Sequence, residues 1–507
     1  MAQTEGVTAP GPSVPPEATT RPKNGSGLQS VRWTAVGNLL RTMLATLQLL
    51  IIARLVTVPE FGLAVLVSSL LLVAQQISDA GLSTALIRFR DVTDAEMSSL
   101  YWLNAFTGLV LAAATVVAAP ALARAFAAPD LGGMLCLVAV VFVAQGLFLQ
   151  LRVLAERDLR FGDVVKVETS ATAIGFVVAV ALAFRGHGAY SVVWGQVASA
   201  LTQLGLSWTI LARVWKPRLH FRVSEVARFV PYGLDILLVN IVTALTVQID
   251  ILVAGLYFPK QAFGSFAQPR DLSLRVMTAI NPVITRVGLP VIARHQNEPA
   301  LAGTVYLRMV RMSATVCFPV YGALALLGPD LLPAVLGAKW AAAGALMPFI
   351  AAWFVVRCLV NPLGSYMNAM GRSRHAFYYQ TAFAGLVTVG AFAGARVGPI
   401  TLALTMAGVY LVFVEVSWAA VLRPISGVGF LDYHRQFCLP LAATLVACGC
   451  VVGVRATLGP GWGVLAVALA AGGPAFVGAS LLLNRAGVTE IRRLIGLVPR
   501  TAGSERC

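Results

Sequence analysis

The sequence predicts an all-α polytopic membrane protein with about fourteen transmembrane helices. Three observations predict it. Of the 507 residues 58% are apolar and only 12% are charged, whereas charged residues make up roughly a quarter of a soluble domain. The apolar residues fall in runs long enough to cross a bilayer, which takes about 20 residues in a helix. The basic residues behind the net charge of +16 form no face or tail that would hold nucleic acid. They lie in short clusters between the apolar runs, which is the pattern of membrane topology.

Residues 1–29, "MAQTEGVTAPGPSVPPEATTRPKNGSGLQ", are rich in Pro, Thr, Ser and Gly and contain no apolar core. They read as a disordered tail rather than a cleaved signal peptide, so the first span itself must drive insertion. Fourteen spans follow near 33–57, 61–87, 99–127, 131–151, 166–184, 189–211, 229–257, 261–287, 308–328, 342–369, 375–395, 399–422, 438–455 and 462–484. Gly328-Pro329 and Gly398-Pro399 are the clearest breaks. Residues 487–507 form a second tail. Alternate connections hold basic clusters, such as Arg152, Arg157, Arg160 and Lys166, or Arg213, Lys216, Arg218, Arg222 and Arg228. The connections between them hold at most one basic residue each: Arg124, Arg185, Lys260, Lys339, Arg396 and Arg455. Both termini are therefore expected in the cytoplasm, in a multi-pass protein of the bacterial inner membrane.

No connection exceeds roughly 20 residues, so there is no room for a folded soluble domain. None of the five lysines is followed by Ser or Thr, which excludes a Walker A phosphate loop and with it a visible ATPase. The five histidines lie in connections and form no HExxH. Most of the seven cysteines sit inside apolar runs and read as small buried hydrophobes. No metal or cofactor is implied.

"ARLVTVPEFGLAVLVSS" (53–69) and "AGLYFPKQAFGSFAQPRD" (254–271) follow one pattern: an apolar span ends, turns through proline, and restarts at Phe-Gly. The two Phe-Gly pairs, 61–62 and 263–264, lie 202 residues apart, the length of six spans. An even number of spans gives two halves of the same orientation, related by an axis along the membrane normal. The halves would be 30–222 and 223–424, with spans 13 and 14 (425–486) outside the repeat.

The first of these motifs, together with "ISDAGLSTALIRFRD" and "NAMGRSRHAF" and the fourteen-span plan, resembles the polysaccharide-transport branch of the multidrug/oligosaccharidyl-lipid/polysaccharide exporter superfamily. The resemblance is strongest to bacterial Wzx-type flippases and covers nearly the whole chain beyond the tail. It implies two six-helix lobes around a central cavity lined by helices 1, 2, 7 and 8. It also implies alternating-access translocation of an undecaprenyl-diphosphate-linked oligosaccharide for exopolysaccharide, O-antigen or capsule biosynthesis, a transporter and not an enzyme. Its partners would be that substrate, membrane lipids, and polymerase or other polysaccharide-assembly proteins. A drug/cation antiporter of the same superfamily is the nearest rival, and a polysaccharide polymerase or ligase the next.

Charges inside spans are costly and point to function. Asp271 and Arg275 stand i, i+4 with the acid first, the favourable order for a helical ion pair. Arg270 follows Pro269 and has no acid three or four residues away, so it is expected to face another helix or a substrate anion in a cavity. Asn38, Arg41 and Gln48 lie along one polar stripe of span 1, where Arg41 either meets the substrate or snorkels to the interface. Arg357, mid-span and followed by Asn361-Pro362, either lines the cavity or satisfies carbonyls freed by Pro362. Asp250, beside Gln248, is the best candidate partner for an intramembrane arginine or a coupling cation. Asp79 and Asp235, toward the cytoplasmic ends of spans 2 and 7, are further coupling or ion-pair candidates. Guanidinium groups suit a diphosphate because they bind phosphate oxygens bidentately and stay charged.

The basic asymmetry makes a topological prediction. Single cysteines replacing Arg218 or Arg372 should react with thiol reagents only from the cytoplasm, and those replacing Lys260 or Lys339 only from outside. Cytoplasmic labelling at Lys260 would overturn the span count.

Overall fold

A computed structural model describes residues 24–78, 86, 91–458 and 462–494. Fourteen helices coincide with the expected spans. They are α1 (Asn24–Leu55), α2 (Val58–Ser78), α3 (Asp94–Ala125), α4 (Pro129–Arg157), α5 (Phe161–Phe184), α6 (Tyr190–Ile210), α7 (Val230–Tyr257) and α8 (Lys260–Arg294). After these come α9 (Pro299–Leu336), α10 (Ala341–Val360, continued by Pro362–Ala369), α11 (Ser373–Ala395), α12 (Pro399–Ser417), α13 (Phe430–Leu458) and α14 (Trp462–Leu483). Eleven helical segments among the described residues are long and apolar enough by themselves to cross a membrane, as befits a multi-pass membrane protein. α6, α8 and α11 are not among them, and α8 carries the charges of the 270–275 stretch.

Local sequence sets the helix ends. Thr93 caps α3 and Glu96 reaches back to the Thr93 amide at 2.8 Å, a reciprocal capping box. Prolines open α4, α9 and α12, where the missing N–H would be unpaired in any case. Gly398-Pro399 is a break, with Gly398 at φ +154°. Gly328-Pro329 is not: it lies inside α9, which runs on to Leu336 and stops at Gly337, φ +106°. Close packing explains the continuation. α10 passes so near that a Cβ on Gly344 would stand 2.8 Å from the Pro329 carbonyl oxygen. α1 starts at Asn24, inside the stretch expected as a tail, and residues 1–23 lie outside the described residues. At the other end a short helix, Arg485–Leu494, continues where the second tail was expected. Just before it, the Asn484 amide donates to Thr315 of α9 at 2.8 Å.

Helix neighbours repeat with a shift of six. In the first half α1 packs on α5, α3 on α4, α4 on α6 and α5 on α6. In the second, α7 packs on α11, α9 on α10, α10 on α12 and α11 on α12. α2 and α8, corresponding helices of the repeat, pack on each other across the two halves. α13 and α14 pair, and α13 lies against α9.

The helix ends that bear clustered basic residues are called here the basic end, and the opposite ends the far end. At the far end the halves are sealed together. The two Phe-Gly pairs of the repeat meet there: a Cβ on Gly62 would stand 3.0 Å from Gly264 Cα, and a Cβ on Gly264 only 2.0 Å from the Val58 carbonyl oxygen. Beside them the α9–α10 turn grips the α1–α2 turn. Lys339 Nζ donates to the carbonyls of Arg54 and Val56 at 2.9 and 2.6 Å. Desolvation pushes its ammonium below the usual lysine range. The buried Trp340 donates to the Ala53 carbonyl at 2.8 Å and meets Phe61 edge-on, with centroids 5.2 Å apart. Arg54 returns a bond to the Val335 carbonyl at 2.9 Å.

Gly264→Ala forces a methyl against backbone, and overpacking of that kind costs about 1–3 kcal/mol. It should lower the thermal unfolding midpoint of the purified protein. Gly408→Ala, in α12 with nothing within 4 Å of its Cβ position, should leave the midpoint unchanged or raise it. Equal midpoints for the two variants would remove the glycine contact from the seal.

Candidate functional site

Below the seal, toward the basic end, lies a cavity of about 530 Å³ between the halves. Its wall comes from α1, α2, α4, α5 and α6 of the first half and α7 and α8 of the second. Helices 1, 2, 7 and 8 therefore line it as the resemblance implied, joined by three more from the first half.

Of the residues singled out from sequence, Gln48, Gln248, Arg270, Asp271 and Arg275 line this cavity. Asp271 and Arg275 form the expected pair at 3.0 Å, half-exposed on the α8 face. Arg270 is at the wall but is spent on its own neighbours. Its Nε and Nη2 take the two Asp250 oxygens at 2.7 Å each, and further bonds reach Gln248 Oε1 at 3.3 Å and the Val247 carbonyl at 2.5 Å. With 1% of the arginine exposed, this bidentate bridge ties α8 to α7. Of the expectations for it, the partner helix stands and a guanidinium free for an anion does not. The reason is topological: a hairpin brings Asp250, 20 residues earlier, alongside.

Arg41 also has a partner that the sequence did not suggest. It bonds Glu168 on α5, and Asn38 one turn back on α1 bonds its other terminal nitrogen. Glu168 is buried and also takes Arg152 Nε of α4 at 3.0 Å, a nitrogen that Glu156 shares at 3.0 Å. Three helices are thus joined at the basic side of the cavity, which Arg152 itself lines. Glu168 escaped notice because it stands at the start of a span, where acids are ordinary. Arg152 was counted as a topology marker. The 127-residue separation of Arg41 from Glu168 leaves no local signal.

Arg357 is buried inside the second half and is not at the cavity. Its guanidinium lies over the rings of Trp353, Phe354 and Tyr410 at 5.6, 5.2 and 5.5 Å, a cation–π setting. Of its two expected roles the cavity-lining one falls. The contact seen is with rings rather than with carbonyls freed by Pro362. Asp79 lies outside the described residues, as does the Asp235 side chain. No group of His, Cys, Asp and Glu among the described residues could hold a metal ion.

The rest of the wall is neutral and polar. Gln48, Gln75, Gln145, Gln196, Gln203 and Gln248 all reach it. These amides went unremarked, apart from Gln48 and Gln248, since an uncharged side chain raises no alarm in an apolar helix. The cavity can accept a hydroxyl-rich molecule within its wall and an anion at its arginine-bearing edge.

Comparison with known proteins agrees with this architecture. The chain is 26% identical over 429 residues to the teichuronic acid biosynthesis protein TuaB of Bacillus subtilis, spanning 83% of this chain and 88% of that one. It is 24% identical to the lipopolysaccharide biosynthesis protein WzxC of Escherichia coli, over 82% and 85% of the two chains. Among solved structures, the lipid II flippase MurJ in an inward closed conformation superposes with a TM-score of 0.73 at 11% identity, over 90% of this chain and all of that one. An inward-facing MATE family multidrug transporter gives 0.56 at 13% identity, over 76% and 96%. These two likenesses are of fold. A family described as "Polysaccharide biosynthesis protein" matches residues 51–345, more than half of the length, and the chain belongs to that polysaccharide biosynthesis protein family.

Proposed function

We propose that this protein is a flippase and not an enzyme. It carries undecaprenyl-diphosphate-linked oligosaccharides across the bacterial inner membrane for exopolysaccharide, O-antigen or capsule assembly. The halves 30–222 and 223–424 rock about the α2–α8 contact, and both termini are cytoplasmic. The sealed far end is then periplasmic, and the cavity receives substrate from the cytoplasmic leaflet. Polymerase and other assembly proteins would take the product.

The observation that carries this reading is the Arg41–Glu168–Arg152 bridge at the basic side of a polar cavity. A diphosphate needs guanidinium donors to enter the membrane, and these two arginines are partly exposed, at 28% and 39% of their side chains. Arg152 meets both of its carboxylates through Nε, which leaves its terminal amino groups for phosphate oxygens. A travelling diphosphate competes with Glu168 for the two arginines and gives them back on release. The antiporter alternative calls for a carboxylate at the cavity ready to take a cation. Glu168, Asp250 and Asp271 are each bonded to an arginine.

The test removes charge in balance. Arg41→Gln, Arg152→Gln, Glu156→Gln and Glu168→Gln together remove two cations and the two acids bonded to them, so the quadruple variant should reach normal abundance. Polymer export should nevertheless fall at least tenfold, with lipid-linked units accumulating on the cytoplasmic side. Arg270→Gln with Asp250→Asn removes the α7–α8 pair evenly and should keep most export. Arg270→Ala alone leaves Asp250 buried without its cation, a loss of about 3–5 kcal/mol, and should lower abundance. Normal export in the quadruple variant would refute the assignment.

A further inference from the structure

A second cleft, of about 720 Å³, opens at the basic end and shares no lining residue with the cavity between the halves. Its volume is that of a small-molecule site, roughly 300–1,000 Å³. Its walls are the first three turns of α9, the connection 426–429, the start of α13 and the short helix Arg485–Leu494. α13 and that short helix lie outside the six-helix repeat, so the first half has no equivalent of this cleft.

The lining residues set it at the depth of the lipid headgroups. Arg308 and Arg311 stand at the start of the ninth apolar run (308–328). Asp432 and Gln436 come just before the thirteenth (438–455), and Glu490 follows the fourteenth (462–484) by about a turn and a half. Charged clefts between helices at that level are where headgroups are recognised.

The charges are divided between the walls. Arg308 and Arg311, three residues apart, share one face of α9. Arg308 is exposed and makes no ion pair or hydrogen bond among the described residues. Arg311 gives its Nε to the Gln436 amide oxygen at 2.6 Å, and Gln436 Nε2 donates to the Asp432 carbonyl at 2.6 Å, which fixes that amide as the acceptor. The acid facing Arg311, Glu490, stands 3.8 Å from Nη1, too far for a hydrogen bond. On the α13 wall the Asp432 carboxylate is exposed and has neither a cation nor a donor among the described residues. One cleft thus holds a guanidinium and a carboxylate that do not bond each other.

We propose that this cleft binds a phospholipid headgroup carrying both a phosphate diester and a primary ammonium, as phosphatidylethanolamine does. Arg308 and the terminal amino groups of Arg311 take the phosphate oxygens, and Asp432 takes the ammonium. Phosphatidylglycerol satisfies the arginines but brings no cation to Asp432. Phosphatidylcholine brings a cation with no N–H to donate. The bound lipid ties α9 to α13 and to the short helix, the elements through which the last two spans attach to the second half. The site stands whether or not the protein is a flippase.

Native mass spectrometry of the delipidated full-length protein in detergent tests this. The probes are phosphatidylethanolamine, phosphatidylglycerol and phosphatidylcholine with the same acyl chains, and soluble phosphoethanolamine. The wild type should take up one phosphatidylethanolamine about tenfold more tightly than either other lipid, the worth of one charge-assisted hydrogen bond. Arg308→Gln should weaken all three lipids. Asp432→Asn should erase the advantage of phosphatidylethanolamine over phosphatidylglycerol and leave phosphatidylglycerol bound no more weakly. Both side chains are exposed and unbonded, so neither variant should shift the unfolding midpoint of the lipid-free protein. No uptake by the wild type, equal uptake of the three lipids, or a preference for phosphatidylglycerol would each overturn the site. So would unchanged lipid binding in Arg308→Gln or an unchanged preference in Asp432→Asn. Soluble phosphoethanolamine binding as tightly as the lipid would overturn the membrane as the source of the ligand.

Discussion

Every charge carried into this array of helices has to be answered by another group inside it. The bridge from Arg270 to Asp250 is the clearest case. Both side chains are 1–2% exposed, and two bonds of 2.7 Å join them. Such a pair adds little net stability over apolar residues of the same volume, but losing either partner is costly. Its position gives it consequence. It fixes α7 against α8, the hairpin that carries the second half's share of the cavity, and α8 in turn crosses α2 at the seal. The same rule is met by Arg275 with Asp271 on the cavity face, and by Arg41 and Arg152 around Glu168.

Neutralising these charges changes what the cavity can recognise. Among the described residues Glu168, Asp250 and Asp271 are each bonded to an arginine, and the uncharged wall offers hydrogen bonds of both senses. The partly exposed arginines differ from the buried one in kind. Arg270 is spent on Asp250, Gln248 and the Val247 carbonyl at 1% exposure, whereas Arg41 and Arg152 share Glu168 with 28% and 39% of their side chains exposed. Burial, rather than the presence of a guanidinium in a span, separates the arginine that only ties helices together from those that the proposed function uses.

Much of this was legible in the sequence, and the limits of legibility are physical. Span positions follow from run length and the alternation of basic clusters, because both are set by the bilayer rather than by the fold. Asp271 with Arg275 was readable because a helix makes i, i+4 residues neighbours. The Phe-Gly repeat was readable as a pattern, and the contact of Gly62 with Gly264 gives it a cause: only glycines allow those backbones so close. Arg270 with Asp250 was half legible, since both were noticed but their pairing depends on hairpin register. Arg41 with Glu168 was not legible, because the pair depends on how α1 lies along α5. The glutamine wall left a faint trace in the helical spacing of Gln196, Ser199 and Gln203 on α6. Gly328-Pro329 misled because proline and glycine stop an isolated helix, while packing against α10 keeps α9 going.

The central claim is that the halves close at the far end while the cavity is loaded from the basic end, and must part there to release the cargo. Its most direct test is translocation of a lipid-linked oligosaccharide in proteoliposomes by a variant with cysteines at Pro59 and Pro259, the native cysteines having been replaced. A short reducible thiol linker between the two turns should stop translocation, and cutting it should restore the full rate. Undiminished translocation with the linker closed would contradict the account.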